Sequence, residues 1–442
     1  MTFALHSLWN PLVFRLIILA LVLGLQWLLF SRAYRWARTS FPSRRWIAGA
    51  TIGVFAIFNL AFLAVLFVRP RAVDFPAWFR NTGMYPFYLW FAATFLLGVF
   101  VLAVGIVKLP FLAALWAAGR SRRARTALEH LREREDFQRF NAGRRVFLRR
   151  GMQGLTVAAF AGSAYGMFVE REVHDLTEAE YEIEGLDPAF DGFVIGLVTD
   201  VHSSIFMSRK DMDGYVAALN LMKPDIVVVG GDFVNSLTDE VYPFAESFSN
   251  LKTREGSFGV MGNHDFYASE PERVAREVND CGVRLLRDER TTLKRGSAEL
   301  HLVGIDDVGS PARARDRMVH AMGSSPLRGP KILLCHRPYF LPQAAETRFD
   351  LMLSGHTHGG QLVLASLGKT VITPAALFSP YVSGEYREGN TVMYVSRGIG
   401  TVAIPVRLNC PPEITRIVLR SPRSRRTSTP ADPARRDPPR PS

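Results

Sequence analysis

Five times between residues 193 and 360 a short aliphatic run ends in a polar cluster. Phe193-Val-Ile-Gly-Leu-Val-Thr199 leads to Asp200 and His202, and Asp225-Ile-Val-Val-Val-Gly230 leads to Gly231-Asp232. Ser257-Phe-Gly-Val-Met261 leads to Gly262-Asn263-His264-Asp265. Lys331-Ile-Leu-Leu-Cys335 leads to His336, and Leu351-Met-Leu-Ser354 leads to Gly355-His356-Thr-His358-Gly359. Runs this short and this rich in aliphatic residues read as buried strands. Between the first two, Arg209–Met222 places Met212, Tyr215, Val216, Leu219 and Met222 at helical spacing, and Lys-Pro closes it. Strand–helix–strand alternation predicts a layered α/β domain whose polar clusters converge from strand ends.

The clusters gather seven candidate metal ligands: Asp200, His202, Asp232, Asn263, His336, His356 and His358. His264 and Asp265 are left over for other roles. Oxygen and imidazole donors without thiolate suit Mn, Fe or Zn. Phosphate-ester hydrolysis near neutral pH needs a strong nucleophile and a sink for negative charge, and a pair of divalent metal ions supplies both. Asp-x-His and Gly-Asp are common by chance. Gly-His-x-His-Gly-Gly is far more specific, and all five clusters in this order after apolar runs point to one compact site.

The net charge of +12 suggests a nucleic-acid binder until its distribution is read. Residues 1–150 hold 21 Arg/Lys against 5 acids, and residues 421–442 add +4. The stretch 151–420, which holds the clusters, has 26 Arg/Lys against 34 acids. Backbone binding would need clustered basic residues there, so nucleic acid is excluded as a partner. Three widely spaced cysteines, at 281, 335 and 410, imply no disulfide framework and no zinc ribbon. Cys335 reads as a small buried apolar residue.

The basic N-terminal part reads as a membrane domain, residues 1–118. Its apolar runs lie at Leu16–Phe30, Trp46–Val68 and Phe87–Val107. The last two are long enough to cross a bilayer of ~30 Å at ~1.5 Å per residue. The first needs Pro11–Phe14 to reach that length, and Arg15 near its end can snorkel. The segment 31–45 holds five Arg and no acid, and 120–150 holds eleven Arg and four acids. Positive residues stay on the cytoplasmic side, so these two lie inside, and loop 69–84 and the N-terminus lie outside.

A basic linker, 119–150, ends in Arg144-Arg145-Val146-Phe147-Leu148-Arg149, and a mildly apolar fourth segment, 151–170, follows. This pattern resembles a twin-arginine export signal. It equally suits the positive-inside flank of a fourth spanning helix. Both readings place the domain 171–420 outside the cytoplasm of a bacterium, in its inner membrane. A third reading leaves the fourth run uncrossed and the domain cytoplasmic. The Pro-, Arg- and Ser-rich tail, 421–442, is expected to be disordered.

Residues ~190–420 resemble the calcineurin-like metallophosphoesterase superfamily. Within it they look like the membrane-associated bacterial branch, with Ser354–Gln361, Val395–Thr401 and Pro412-Glu413-Ile414 in the expected places. The resemblance implies a four-layer α/β/β/α sandwich with two metal ions, Mn ahead of Fe or Zn, between the carboxyl ends of two sheets. One metal would be held by Asp200, His202, Asp232 and His358, the other by Asp232, Asn263, His336 and His356. Asp232 would present one oxygen to each cation, and a bridging hydroxide would attack phosphorus. His264 would protonate the leaving group or stabilise the transition state, and Asp265 would orient His264.

The implied activity is that of a phosphodiesterase or pyrophosphatase acting on a membrane-lipid or envelope phosphoester. A cytoplasmic domain would instead suit a UDP-2,3-diacylglucosamine-type pyrophosphatase, an activity linked to lipid A precursors in this branch. A non-catalytic metal-binding sensor or scaffold would be expected to lose ligands or the His264-Asp265 pair, and neither is missing. A transporter finds little support in spans that hold few polar residues, Asn59 and Thr94 among them. Asn235 is a candidate for supporting the site, and Gly360-Gln361 for donating backbone N–H groups to phosphate. His301 and His320 read as structural or surface, and Asp306-Asp307 as a strand-end turn.

Overall fold

The computed structural model describes residues 11–68, 76–325, 327–367 and 370–422. Residues 69–75 of the loop expected outside, and the tail beyond 422 expected to be disordered, lie outside the described residues. The described residues fold as two compact units, one of residues 11–169 with Ile404–Leu408, the other of Glu170–Ala403 with residues 409–422.

In the first unit three helices are long and apolar enough to cross a membrane: Leu16–Ser40, Arg45–Phe67 and Asn81–Ala118. The stretch expected as a basic loop, 31–45, is helical as far as Ser40. Arg and Ala favour helix, and the chain breaks only at Phe41, whose α conformation Pro42 disfavours. Gln26 Nε2 donates to Thr94 Oγ1 at 2.7 Å, a polar tie between two apolar helices. Trp90 stacks on Phe58 at 4.7 Å and meets Phe55 edge-on. The fourth apolar run is not among the three candidate spans. It forms the second half of one 34-residue helix, Glu135–Phe168, whose first half carries Arg144 and Arg145.

Among the described residues the second unit has fourteen strands. In chain order they are β1 (Asp175–Glu182), β2 (Val194–Val198), β3 (Ile226–Val229), β4 (Ser257–Gly259) and β5 (Val283–Leu285). Then come β6 (Glu289–Arg295), β7 (Ala298–Gly304), β8 (Lys331–Leu334), β9 (Leu351–Ser354) and the hairpin β10 (Ala365–Leu367) and β11 (Thr370–Ile372). The last are β12 (Gly384–Glu388), β13 (Thr391–Val395) and β14 (Glu413–Arg420). One six-stranded sheet has the order β1-β14-β2-β3-β4-β5, the other β12-β13-β9-β8-β7-β6. The strands β2 to β5 run parallel, as do β7, β8, β9 and β13.

Side chains alternate along each strand, which sorts the core into layers. Ile195, Leu197, Ile226 and Val228 of one sheet pack with Leu300, Leu302, Ile332, Leu334, Leu351 and Leu353 of the other. Val227 and Val229 face the opposite way, onto Met212, Tyr215, Val216 and Leu219 of the helix Arg209–Leu221. Ser208 and Asp211 cap that helix reciprocally. Leu333, Met352 and Met393 cover the outer face of the second sheet with Met318 and Ala344. The result is the expected α/β/β/α sandwich.

Candidate metal centre

Each polar cluster follows the carboxyl end of a strand: β2, β3, β4, β8 or β9. The chain turns there sharply. Asp200, His202, Asp232, His356 and His358 all have positive φ, between 47° and 72°. Non-glycine residues rarely adopt this region, at a cost of order 1–3 kcal/mol each, and such strain concentrates at functional sites. Gly231 lets the loops close up: a Cβ there would lie 2.7 Å from Gly262 N and 2.9 Å from His336 Nδ1.

The turns bring Asp200, His202 and His358 into one group and Asp232, His336 and His356 into another. His202 Nε2 is 3.1 Å from His358 Nε2, and His358 Nε2 is 3.4 Å from Asp200 Oδ1. His336 Nε2 is 3.3 Å from His356 Nδ1. Ligands ~2.0–2.2 Å from one cation stand roughly 3.0–3.6 Å apart, so these spacings are edges of a coordination shell. Asp232 joins the groups through a single atom. Its Oδ2 lies 3.4 Å from His202 Nε2 and 3.2 Å from His336 Nε2. Its Oδ1 accepts the backbone N–H of His264 at 2.8 Å. Oδ2 thus faces both donor groups, while Oδ1 is engaged with the backbone.

The surroundings fit a cation pair. Asn263 Oδ1 is buried with no hydrogen-bond partner, a carbonyl oxygen kept for an electrophile. His336 Nδ1 donates to Gly230 O at 2.9 Å, which leaves Nε2 as the metal-facing lone pair. The His356 N–H donates to both Asp200 oxygens, at 2.9 and 3.0 Å. Burial opposes the charge on Asp232, but the imidazoles of His336, His202 and His264 more than offset it and hold the carboxyl well below the usual range. Burial likewise lowers His336, and the charge of Asp232 outweighs it, raising the imidazole to about 10. Burial, then the charges of His336 and Arg337, push His356 well below its ordinary value.

His264 sits beside this centre. Its ring is 4.6 Å from that of His202, edge to face, and it groups with His202 and Asp232. Asp265 does not orient it. The Asp265 carboxylate accepts four backbone N–H groups, from Gly262, Asp232, Phe233 and Val234, at 2.8–3.2 Å. At the third position of a tight helical turn it is aimed back at the main chain. The partner of His264 Nδ1 is the carbonyl of Asn235, at 2.5 Å. Asn235 thus supports the site through its backbone. Glu240, absent from the sequence reading, fixes that loop by accepting the N–H groups of Asn235, Ser236 and Leu237.

Gly360 and Gln361 offer no free donors. Their N–H groups bond Thr357 O and His358 O, and the Gln361 side chain brackets Val402. Asp306 and Asp307 are not an acid pair. Asp306 meets Arg287, and Asp307 takes Arg337 in a bidentate pair at 2.6 and 2.8 Å. Arg337, next to the ligand His336, was also missed, because an Arg after His carries no spacing signal. His301 is structural, held by Thr292 and Arg328 O, and Cys335 is buried.

Residues 193–360, which hold every candidate ligand, match the family described as Calcineurin-like phosphoesterase. The likeness to that family is thus confined to the part of the chain that holds the donor groups. The "Transmembrane protein with metallophosphoesterase domain" of Danio rerio is 31% identical over 269 residues, 58% of this chain and 60% of that protein. The uncharacterized metallophosphoesterase YkuE of Bacillus subtilis is 29% identical over 295 residues, 63% of this chain and 98% of that protein. The phosphodiesterase YaeI of Escherichia coli is 28% identical over 235 residues, 51% of this chain and 82% of that protein. The chain spans about 60% of the length of the animal relatives it matches. Because animal and bacterial proteins both match, the likeness stands at the level of the superfamily, with N-terminal apolar helices, and not of a bacterial branch.

Proposed function

We propose that the chain is a membrane-tethered phosphodiesterase or pyrophosphatase that uses two divalent metal ions, Mn first and Fe or Zn next. The observation that carries this is the position of Asp232 Oδ2 between His202 Nε2 and His336 Nε2, each within one of the two donor groups. Asp200, His202, Asp232 and His358 would hold one ion; Asp232, Asn263, His336 and His356 would hold the other. When bound, the ions supply Lewis acidity that offsets phosphoryl charge and acidifies water. His264 does the proton work of the chain itself. The Asn235 carbonyl keeps a proton on Nδ1, so Nε2 is the nitrogen that turns to the substrate. When the ring carries a second proton there, as the imidazolium, it gives that proton to the leaving oxygen and returns to the neutral Nδ1–H form. Asp265 holds the loops of Asp232 and Asn263 in register.

The name of the Escherichia coli relative supports a diester. The apolar helices support a substrate met at a membrane, a lipid or envelope phosphoester. The test is hydrolysis of bis-p-nitrophenyl phosphate by the full chain in detergent with added Mn. Turnover that His356→Ala and His264→Ala leave untouched would overturn the assignment.

One observation favours a second reading. Only three helices among the described residues qualify as spans. If the helix Glu135–Phe168 does not cross, the domain lies in the cytoplasm, where a nucleotide-linked lipid precursor with a pyrophosphate would be the substrate.

A further inference from the structure

From Gly359 to Gly384 the chain runs 26 residues with one charged side chain, Lys369. This stretch is not interior. Leu364, Ile372, Leu377 and Phe378 are exposed, the last two by 78% and 67%. Among the described residues of the phosphoesterase unit no other stretch of this length exposes four large apolar side chains. A soluble surface rarely gathers such a patch unless it meets a partner.

The patch is part of the metal centre's rim. The turn His358–Gly360 packs against the turn Pro374–Leu377. Thr373 Oγ1 donates to Gly360 O at 3.0 Å, and Thr357 Oγ1 donates to Val382 O at 2.6 Å. The C-terminal half of the apolar stretch is therefore pinned to the loop that carries His356 and His358, and its N-terminal end continues directly from that loop. Leu362 and Val363 anchor it inward, and Asn409 Nδ2 holds Val363 O at 3.0 Å. Leu364 and Ile372 lie at the open end of the hairpin, where Leu364 N meets Ile372 O at 2.8 Å.

We infer that the exposed side chains of Leu364, Ile372, Leu377 and Phe378 bind the hydrocarbon chain of a lipid phosphoester whose phosphate lies at the metal centre. The inference rests on the phosphoesterase reading and names its substrate class. Two facts select lipid. The segment carries almost no charge to recognise a polar partner, and the same chain bears three helices able to lie in a bilayer. An acyl chain laid on the patch would also hold the phosphoester against the ligand loop, turning binding energy into positioning.

The test uses the full chain in vesicles of phosphatidylethanolamine and phosphatidylglycerol doped with a phospholipid bearing a diazirine on its acyl chain. After illumination and digestion, label on peptides from 362–378 is expected. Label confined to Pro11–Ala118 overturns the inference, as does a Phe378 cross-link to a second copy of the chain. In parallel, hexadecyl p-nitrophenyl phosphate and bis-p-nitrophenyl phosphate are compared in the wild type and in Leu377→Ser/Phe378→Ser. The loss in kcat/KM on the hexadecyl ester should exceed the loss on the aromatic ester by about tenfold or more. Equal losses would mean that the segment only props the ligand loop. A wild type that turns over neither ester sinks the phosphoesterase reading, and the labelling still decides the lipid site.

Discussion

His264 Nδ1 lies 2.5 Å from the main-chain carbonyl of Asn235. A carbonyl accepts only, so Nδ1 keeps a proton and Nε2 faces the centre, where it can donate only when the ring is the doubly protonated imidazolium. If Nε2–H serves the leaving oxygen, His264→Gln should lower kcat by ~10²–10⁴ for an alkoxide leaving group. The loss should shrink for p-nitrophenolate, which leaves without a proton. Asn235→Ala keeps the carbonyl and should keep most of the activity. A loss independent of the leaving group would show that His264 acts otherwise.

Asp265 and Asp232 should fail differently when changed. Asp265→Asn keeps one acceptor oxygen but turns an amide N–H toward two of the four backbone donors, which then have no acceptor. Each such buried group costs ~1–3 kcal/mol, so urea unfolding should show a large drop in stability. Asp232→Asn should instead show in the metal content, since Oδ2 faces both donor groups. Mass spectrometry of the purified variants should find fewer than two ions per chain in Asp232→Asn. Equal metal content in Asp232→Asn and the wild type would remove its bridging role.

Metal uptake should release protons. Burial lowers His336, yet the Asp232 charge raises it to about 10, so near neutral pH a cation must displace the proton from that imidazole. Affinity should rise with pH up to that region. Calorimetric titration with Mn in two buffers of different ionisation enthalpy would measure the protons released. A heat independent of buffer would contradict the protonated His336.

The acid side of the stability curve should depend on Glu413. Burial raises its pKa, but the Arg397 charge and the Tyr394 hydroxyl outweigh this and hold it below the ordinary glutamate value. A carboxyl depressed on folding stabilises the protein above its unfolded pKa of ~4.3 and loses that contribution as pH falls through the folded value. Thermal unfolding of Glu413→Gln should start lower at neutral pH and change less with acidification than the wild type. Parallel pH profiles would refute this.

Much of the fold and of the candidate site was legible because strand ends and ligands are linked in sequence. Aliphatic runs announce parallel strands buried on both faces, and the residue after each run falls at the sheet edge, as Asp200 after β2 and His336 after β8 show. What stayed hidden is set by backbone direction. Which oxygen of Asp232 faces both donor groups, and which carbonyl holds His264, depend on turns with positive φ that no residue type dictates. Arg337 reaches Asp307, 30 residues away in sequence, and Glu240 folds back onto the N–H groups of its own loop, a local contact that only the turn geometry creates.

The side of the membrane turns on the helix Glu135–Phe168. Its first half carries Arg144 and Arg145, and its second half is apolar but not among the three candidate spans. With the N-terminus outside, three crossings leave the phosphoesterase domain in the cytoplasm, and a fourth exports it. A twin-arginine signal requires both guanidinium groups, whereas a positive-inside flank requires only charge. A phosphatase or fluorescent-protein reporter joined after residue 430 should therefore read outside the cytoplasm in the wild type. Arg144→Lys/Arg145→Lys should trap it inside if export uses the signal and leave it outside if the helix simply crosses. A reporter that reads cytoplasmic in the unmodified chain would reject both exported topologies and move the substrate to the inner leaflet or the cytosol.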